Sequence, residues 1–168
     1  TLLLLLTALG WILLQKGKYV WAGLAIGLVV AIKPNFVIWL IFLLASGYYV
    51  TFLAAAVSGL IVSCIPIIFY GTKIYSQWLE ASSLRIETLI MPGNNSIVGL
   101  TSRFQNMNVG IILSVIVVAA LLIFSKLKTS NNMEYSERIS TLGIFASLLA
   151  SPISWTGYTI LLLPIFFS

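Results

Sequence analysis

Two long runs without a charged residue constrain this chain more than any other feature. Residues 50–69 read VTFLAAAVSGLIVSCIPIIF, and residues 108–125 read NVGIILSVIVVAALLIFS. Each run is close to the ~20 apolar residues that an α-helix needs to cross a bilayer. The two runs therefore predict an all-α polytopic membrane protein, located in the cell membrane with several passes.

Composition agrees with this prediction and excludes several functions. Only 8% of the residues are charged, against about 25% in a typical soluble domain. The net charge of +5 is interpreted as Lys and Arg collected in cytoplasmic loops rather than as a surface that binds nucleic acid. The chain has no His and no Asp, which excludes a Ser-His-Asp triad and the usual metal sites, and its single cysteine, Cys64, excludes an internal disulfide. We expect no metal or cofactor.

Seven apolar segments are predicted along the chain. They cover residues 1–14, 19–32, 34–46, 50–69, 108–125, 139–150 and 155–168. The second and third would each reach about 20 Å, short of the ~30 Å hydrocarbon core. Because proline interrupts helical hydrogen bonding, these two segments form either a hairpin of short helices, which we favour, or one long helix broken at Pro34.

Both ends of the sequence lie in apolar surroundings. The chain begins TLLLLL, without Met, and ends LLLPIFFS. We therefore expect residues 1–168 to be a single transmembrane domain that forms the C-terminal part of a longer protein.

One long hydrophilic stretch, residues 70–107, separates the fourth and fifth segments. Its first part has Lys73 and Glu80 on one helical face and Ile74 and Trp78 on the other. That pattern is typical of a helix lying at the membrane interface. It suits equally well a loop helix packed on the rest of the protein.

Positive charge assigns the loops to sides, because Lys and Arg collect in cytoplasmic loops. If residues 15–18 are cytoplasmic, residues 46–49 and 126–138 are cytoplasmic too, and the 70–107 loop is external. The inside then holds Lys16, Lys18, Lys126, Lys128 and Arg138, and the outside holds Lys33, Lys73, Arg85 and Arg103. The bias is small, but the short inner loops agree with it.

This topology brings three unusual motifs to the external face: AIKPNF at 31–36, PGNNSIVGLTSRF at 92–104 and SPISW at 151–155. Lys33 and Arg103 are predicted to bind phosphate, the first as a point charge and the second as a planar fork. Asn94, Asn95 and Ser96 are predicted to bind hydroxyl groups, and the further candidate binding residues are Ser154, Trp155 and Tyr158.

Each of these motifs has a simpler alternative. Lys33 at a helix end suits a side chain that extends to the interface, and residues 94–96 suit a turn. Arg103 suits pairing with a lipid phosphate, and Trp155 suits an interfacial anchor. The group is more informative than its members, but spacing alone does not name a substrate.

The order of the motifs resembles glycosyltransferase family 87. The matching pattern is K-P, then N-x-S with a later R in a long external loop, then S-P-x-S-W before a last apolar run with L-L-P. The residues that carry it are Lys33-Pro34, Asn94 or Asn95 with Ser96 and Arg103, Ser151 to Trp155, and Leu163-Pro164. The resemblance spans almost the whole chain. S-P-I-S-W is fairly specific in that context, and K-P alone is weak.

The resemblance implies a GT-C-like bundle of about seven transmembrane or half-membrane helices with one long external loop. It implies transfer of a mannose-like hexose from a polyprenyl-phosphate donor to a lipid or glycan acceptor at the outer face of the cytoplasmic membrane. The catalytic base in such enzymes is an Asp in the first external loop, which would lie upstream of Thr1. Gly157 and Tyr158 stand where the family often has His.

Two other functions fit the same residues. A transporter or flippase for a lipid-linked sugar would use the same cations, with Pro34, Pro66 and Pro164 as hinges of broken helices. A non-catalytic membrane subunit would explain the missing Asp and His. The gathering of the motifs on one face favours the enzyme.

Overall fold

The computed structural model describes residues 2–82, 89–126, 132–152, 154 and 156–162, and every regular element among them is helical. The elements are α1 (Leu2–Gln15), α2 (Tyr19–Ile32), a 3₁₀ turn (Pro34–Phe36) leading into α3 (Val37–Ala45), α4 (Tyr49–Tyr70), α5 (Lys73–Ser82), α6 (Ile97–Ser102), α7 (Met107–Ser125), α8 (Asn132–Leu149) and a 3₁₀ helix (Thr156–Leu162). The predicted all-α class is therefore confirmed for these residues.

Two connections between helices are tight turns of the same design. Gly17 and Gly47 each follow a helix with a positive φ, of 69° and 86°. In the first turn the Lys18 amide bonds the Leu13 carbonyl at 2.9 Å. The second repeats this bond from the Tyr48 amide to the carbonyl of residue 43, also at 2.9 Å. This is the Schellman arrangement, which satisfies the free carbonyls at a helix end.

The chain reverses direction at Lys33, as the hairpin interpretation expects. The rings of Tyr19 and Tyr48, at the starts of α2 and α4, are 5.9 Å apart, so both helices start at the same end of the molecule. Since α3 joins the far end of α2 to the start of α4, it must run back between them. The two arms diverge, however: α2 packs on α1 and α4, whereas α3 packs on α8.

Small residues allow α2 and α4 to pack backbone against backbone. Gly23 lies beside Thr51 and Ala55, and Gly27 lies beside Ala55 and Gly59. Both pairs advance in the same direction, so the helices are parallel. A Cβ added to Gly27 would lie 2.9 Å from the Gly59 amide nitrogen. Packing of small residues at such spacing is typical of helix pairs in membranes.

Helix α3 forms the centre of the molecule. Phe36, Trp39, Phe42 and Leu43 are completely buried. Against this face, Gly143 of α8 leaves the space that the Trp39 ring occupies, since a Cβ there would come within 2.6 Å of Trp39 Cδ1.

The two longest helices are apolar and mostly exposed. Tyr49–Tyr70 and Met107–Ser125 are long and apolar enough to cross a membrane, yet only 11% of the most apolar window in each is buried. A core helix of a water-soluble protein would be mostly buried. The exposed apolar surface of both helices therefore indicates association with a membrane.

Several boundaries differ from those predicted. Residues 132–138 belong to α8, so the prediction of a loop over all of 126–138 was wrong there. A short helix, Ile97–Ser102, interrupts the hydrophilic stretch 70–107, and the predicted loop helix is confirmed over Lys73–Ser82. The predicted roles of Arg85, Lys128, Trp155, Leu163 and Pro164 fall outside the described residues.

We predict that Gly27→Leu strongly destabilises the protein, because its side chain would meet the backbone of α4, which cannot shift cheaply. Overpacking typically costs about 1–3 kcal/mol, and occasionally more. Val57→Leu is the control, since Val57 on α4 is 54% exposed and should change stability by less than about 0.5 kcal/mol. Thermal unfolding in detergent measures both, and equal midpoints would contradict the packing described.

Candidate functional site

The structure brings the three predicted motifs together at one end of the bundle. The Asn35 side-chain amide donates to the Ser147 carbonyl at 2.8 Å, near the end of α8. Lys33 lies over the Tyr158 ring, with Nζ 3.0 Å from its centroid. The Asn95 amide donates to the Ser154 carbonyl at 2.7 Å. All three motifs therefore meet on the segment from the end of α8 to the C-terminal 3₁₀ helix, and we call this the site end.

The side chain of Asn94 holds the central motif to the C-terminal one. Its Nδ2 donates to the carbonyls of Leu89 and Pro152, both at 3.0 Å. Its Oδ1 accepts from the amides of Ser154 at 2.9 Å and Ser96 at 3.2 Å. The residue is 1% exposed, so four buried hydrogen bonds use both donors of the amide and its oxygen.

Ser96 begins α6 and adds a second bond to the same segment. Its Oγ accepts from the Gly99 amide at 2.8 Å, which caps the helix, and donates to the Pro152 carbonyl at 3.0 Å. Gly99 in turn leaves the space that the Asn94 amide fills, since a Cβ would lie 2.6 Å from Asn94 Cγ. The first turn of α6 and the Asn94 side chain thus fix each other.

Lys33 is the most unusual cation of the site end. It lies in the connection between α2 and the 3₁₀ turn, outside both helices, with extended backbone. Its Nζ is buried and has no hydrogen-bond partner among the described residues, although it contacts the face of Tyr158. Burial lowers the pKa of the Lys33 amine from 10.5 to about 8. A buried amine in this state favours an anion that supplies the missing partner.

Arg103 closes the 91–94 turn. Its Nη2 donates to the carbonyls of Met91, Pro92 and Asn94 at 3.0, 3.0 and 2.9 Å. The side chain is exposed. Arg103 therefore supports the loop that carries Asn94 and also presents positive charge at the surface of the site end.

An apolar groove of about 580 Å³ runs away from the site end between α3, α6, α7 and the segment that follows α8. Its walls are Ile38, Val98, Ile111, Ser114, Val115, Val118, Ala119, Leu122, Ala150 and Pro152. Residues 111 to 122 of α7 extend the groove over about 16 Å at 1.5 Å per residue. Pro152 belongs both to the groove wall and, through its carbonyl, to the Asn94 network.

The described residues among those predicted for the site fall into three groups. Asn94, Ser96 and Ser154 are buried and bond to one another or to nearby backbone. Lys33 and Tyr158 contact each other, and Asn95 and Arg103 are exposed. Trp155 lies outside the described residues. The predicted roles of all these residues in binding phosphate, sugar or acceptor stay predictions.

Sequence reasoning missed the Asn35 bond to Ser147 and the fit of Gly99 against Asn94. One signal was present: Ser96 stands directly before the apolar residues IVGL, where a helix cap is expected. The long-range partners in residues 147–154 left no comparable signal.

The carboxylates divide between the two ends. Glu134 and Glu137 lie in the first turns of α8, beside Tyr135. The Tyr135 ring is 6.2 Å from the Tyr48 ring. Both glutamates are therefore at the opposite end of the bundle from Lys33. Among the described residues, Glu80 on α5 is the carboxylate at the site end.

We predict that Asn94→Asp loosens the whole site end. The new oxygen would face the carbonyls of Leu89 and Pro152, and each buried group left without a partner costs about 1–3 kcal/mol. Hydrogen exchange at the Ser96 and Ser154 amides should accelerate, and the unfolding midpoint should fall. Asn95→Asp is the matched control, because Asn95 is exposed. Equal effects of the two changes would argue against the network.

We predict that Lys33→Met removes a pH dependence of stability. The folded protein holds the Lys33 pKa at about 8, below 10.5. Between these pH values the unfolded chain binds more protons, so the free energy of unfolding of the wild type should rise as pH rises from 8 towards 10.5. Lys33→Met should flatten this rise and raise the unfolding midpoint at pH 7. Lys73→Met, at an exposed position of α5, is the control. If Lys33→Met left the pH profile of stability unchanged, burial would not lower the pKa of Lys33.

Comparison with known proteins relates the chain to one family. The family model described as glycosyltransferase family 87 matches residues 1–152, from the start of the chain to Pro152 at the site end. No curated protein and no solved structure matches the chain.

Proposed function

We propose, on the premise that this chain belongs to glycosyltransferase family 87, that it moves a mannose-like hexose from a polyprenyl-phosphate donor to a glycolipid or glycan acceptor. Membership of the family implies a glycosyltransferase, with a donor and an acceptor. The nature of the donor is the further step, and it rests on the groove and on Lys33.

One observation carries the proposal: the apolar groove and the polar site end share Pro152. A polyprenyl-phosphate sugar has an apolar chain, an anionic phosphate and a polar head in that order. The groove, the Lys33 amine and the 92–104 loop offer three environments of the matching kinds, and all of them reach the site end. A soluble nucleotide sugar would have no use for a groove of this length and apolarity.

The proposed role of Lys33 is to bind the leaving phosphate. Transfer with inversion forms a bond from the acceptor oxygen to the anomeric carbon and breaks the bond from that carbon to the phosphate oxygen. The acceptor proton goes to a base, and the electron pair of the broken bond stays on the phosphate. A cation fixed beside that oxygen stabilises the charge as it develops. A phosphate would also give the buried Lys33 amine the hydrogen-bond partner that it lacks.

The other predicted site residues receive different tasks in this proposal. Asn94 and Ser96 bond to the protein itself, so their proposed task is to hold Pro152, which lines the groove. Asn95 and Tyr158 are the candidates for contact with sugar hydroxyls, and Arg103 supplies a second positive charge. For the base, Glu134 and Glu137 are unsuitable because they belong to the opposite end.

We further propose a GT-C-like, multi-pass arrangement with the site end outside the cytoplasmic membrane. The two long apolar helices supply the span. Lys16 and Lys18 lie in a tight turn at the opposite end, where the positive-inside rule expects them. A flippase for the same lipid would use the same groove, but the three motifs meet at one end, which favours transfer over transport.

We predict that Ala119→Trp blocks use of a long-chain donor. Ala119 lines the groove, and an indole there would fill the path of the polyprenyl chain. With the full-length protein in liposomes, transfer from a long-chain polyprenyl-phosphate mannose should fall about tenfold or more, since losing burial of two or more CH₂ groups costs roughly 0.8 kcal/mol each. Transfer from a donor with a chain of one or two isoprene units should change little.

Ile116→Trp is the matched control, because Ile116 lies on the same helix, is 57% exposed and does not line the groove. It should leave both donors unaffected. Equal transfer by Ala119→Trp and wild type with the long-chain donor would remove the groove from the proposal. Absence of transfer from either donor by the wild type would overturn the donor class itself.

A further inference from the structure

A second pocket lies at the end of the molecule opposite the site end. Its volume is about 270 Å³. Its walls are Tyr19, Gly47, Tyr48, Tyr49, Val50 and Thr51, and we call it the tyrosine pocket. It is built by the starts of α2 and α4 and by the Gly47 turn, and it shares none of these residues with the groove.

The N-terminus of α4 forms most of this pocket. The first amide groups of any helix have no carbonyl partner in their own helix. Tyr48, at the N-cap position, makes no side-chain capping bond. Helix α4 has 22 residues, so the amides of its first turn also carry the positive end of a long helix dipole. Such an end is a ready binding site for an anion, phosphate above all.

A buried hydroxyl points to a ligand independently of the helix end. Thr51 is 0% exposed and forms part of the pocket wall. Its Oγ1 has no hydrogen-bond partner among the described residues. Leaving a buried polar group without a partner is costly. A phosphate oxygen in the pocket would accept a bond from this hydroxyl.

Charge and aromatic rings around the pocket suit the same ligand. Lys16 and Lys18 are exposed in the turn that leads directly into Tyr19. The Tyr48 ring packs against those of Tyr19 and Tyr135, at 5.9 and 6.2 Å. Tyrosine is enriched where a protein passes from lipid to water. Glu134 and Glu137 flank Tyr135 on α8 but do not line the pocket.

The outer surface of α4 distinguishes a lipid from a free phosphate. Val50, Leu53, Val57 and Leu60 recur at spacings of three and four residues, and all are more than half exposed. They form one apolar stripe that starts at the pocket and follows the helix. An anion bound at the first turn of α4 therefore sits at the head of a surface on which acyl chains can lie.

We propose that the tyrosine pocket binds the phosphate of an anionic phospholipid of the adjacent leaflet. The first-turn amides of α4 and the Thr51 hydroxyl bind the phosphate oxygens, Lys16 and Lys18 add charge, and the acyl chains lie along the α4 stripe. This site is distinct from the donor site and does not depend on the proposed reaction.

The test measures binding of dihexanoyl phosphatidylglycerol and dihexanoyl phosphatidylcholine to the detergent-solubilised protein, by shift of the unfolding midpoint and by native mass spectrometry. Inorganic phosphate is the third ligand. We expect phosphatidylglycerol to bind at least about tenfold more tightly than phosphatidylcholine, because each basic residue near an anionic head group raises the affinity about fivefold. Inorganic phosphate at the same concentration should give no shift.

Variants assign the binding to the pocket. Thr51→Val keeps the shape of the side chain and loses the hydroxyl. Its affinity for phosphatidylglycerol should fall about tenfold, which is the effect of losing a hydrogen bond to a charged group. Thr51→Ser should keep most of the affinity. Lys16→Gln with Lys18→Gln should weaken binding, whereas Lys126→Gln, at the same end but outside the pocket wall, should not.

Four results would overturn the proposal. The first is equal affinity for the two lipids, and the second is binding of inorganic phosphate as strong as that of phosphatidylglycerol. The third is an equal loss of affinity in Lys126→Gln and in the Lys16 and Lys18 variant, which would mean that general surface charge attracts the lipid. The fourth is unchanged affinity for phosphatidylglycerol in Thr51→Val, which would exclude a role for the hydroxyl and for the pocket.

Discussion

The amide side chain of Asn94 is the interaction on which the candidate site depends. Its four hydrogen bonds join three parts of the chain that are distant in sequence: the turn at Leu89, the start of α6 and the segment from Pro152 to Ser154. An amide is the side chain that offers two donors and an acceptor in one plane. Because the network is buried and each amide atom has partners, it gives this end of the bundle a single arrangement.

The network needs a rigid bundle beneath it, and small residues provide that. Gly23 and Gly27 bring α2 and α4 into backbone contact, and Gly143 admits the Trp39 ring between α3 and α8. Helix α3, only nine residues long, packs on α8 and also contacts α4. Lys33 precedes this helix, and its amine is buried against the Tyr158 ring.

The sequence predicted the elements better than the contacts. The uncharged runs located α4 and α7, the short loops 15–18 and 46–49 located two turns, and the periodicity of residues 73–82 located α5. All of these are local signals. The gathering of the 31–36, 92–104 and 151–155 motifs at one end was predicted only by counting loops through the membrane. The direct bonds of Asn94 were not predicted, because a sequence does not state which backbone groups an amide will reach.

The error at residues 132–138 has a related cause. The polarity of these residues predicts a loop, but they form the start of α8. There the negative charge of Glu134 is stabilised by the positive end of the helix dipole. Polarity marks where a helix leaves the apolar layer, and it does not mark where the helix ends. The same distinction governs Lys33. A charged residue between two apolar runs is ordinarily read as the point where the chain reaches water, but here the amine is buried against an aromatic face. Burial of a charged amine is energetically costly, and the proposed role of Lys33 rests on this observation.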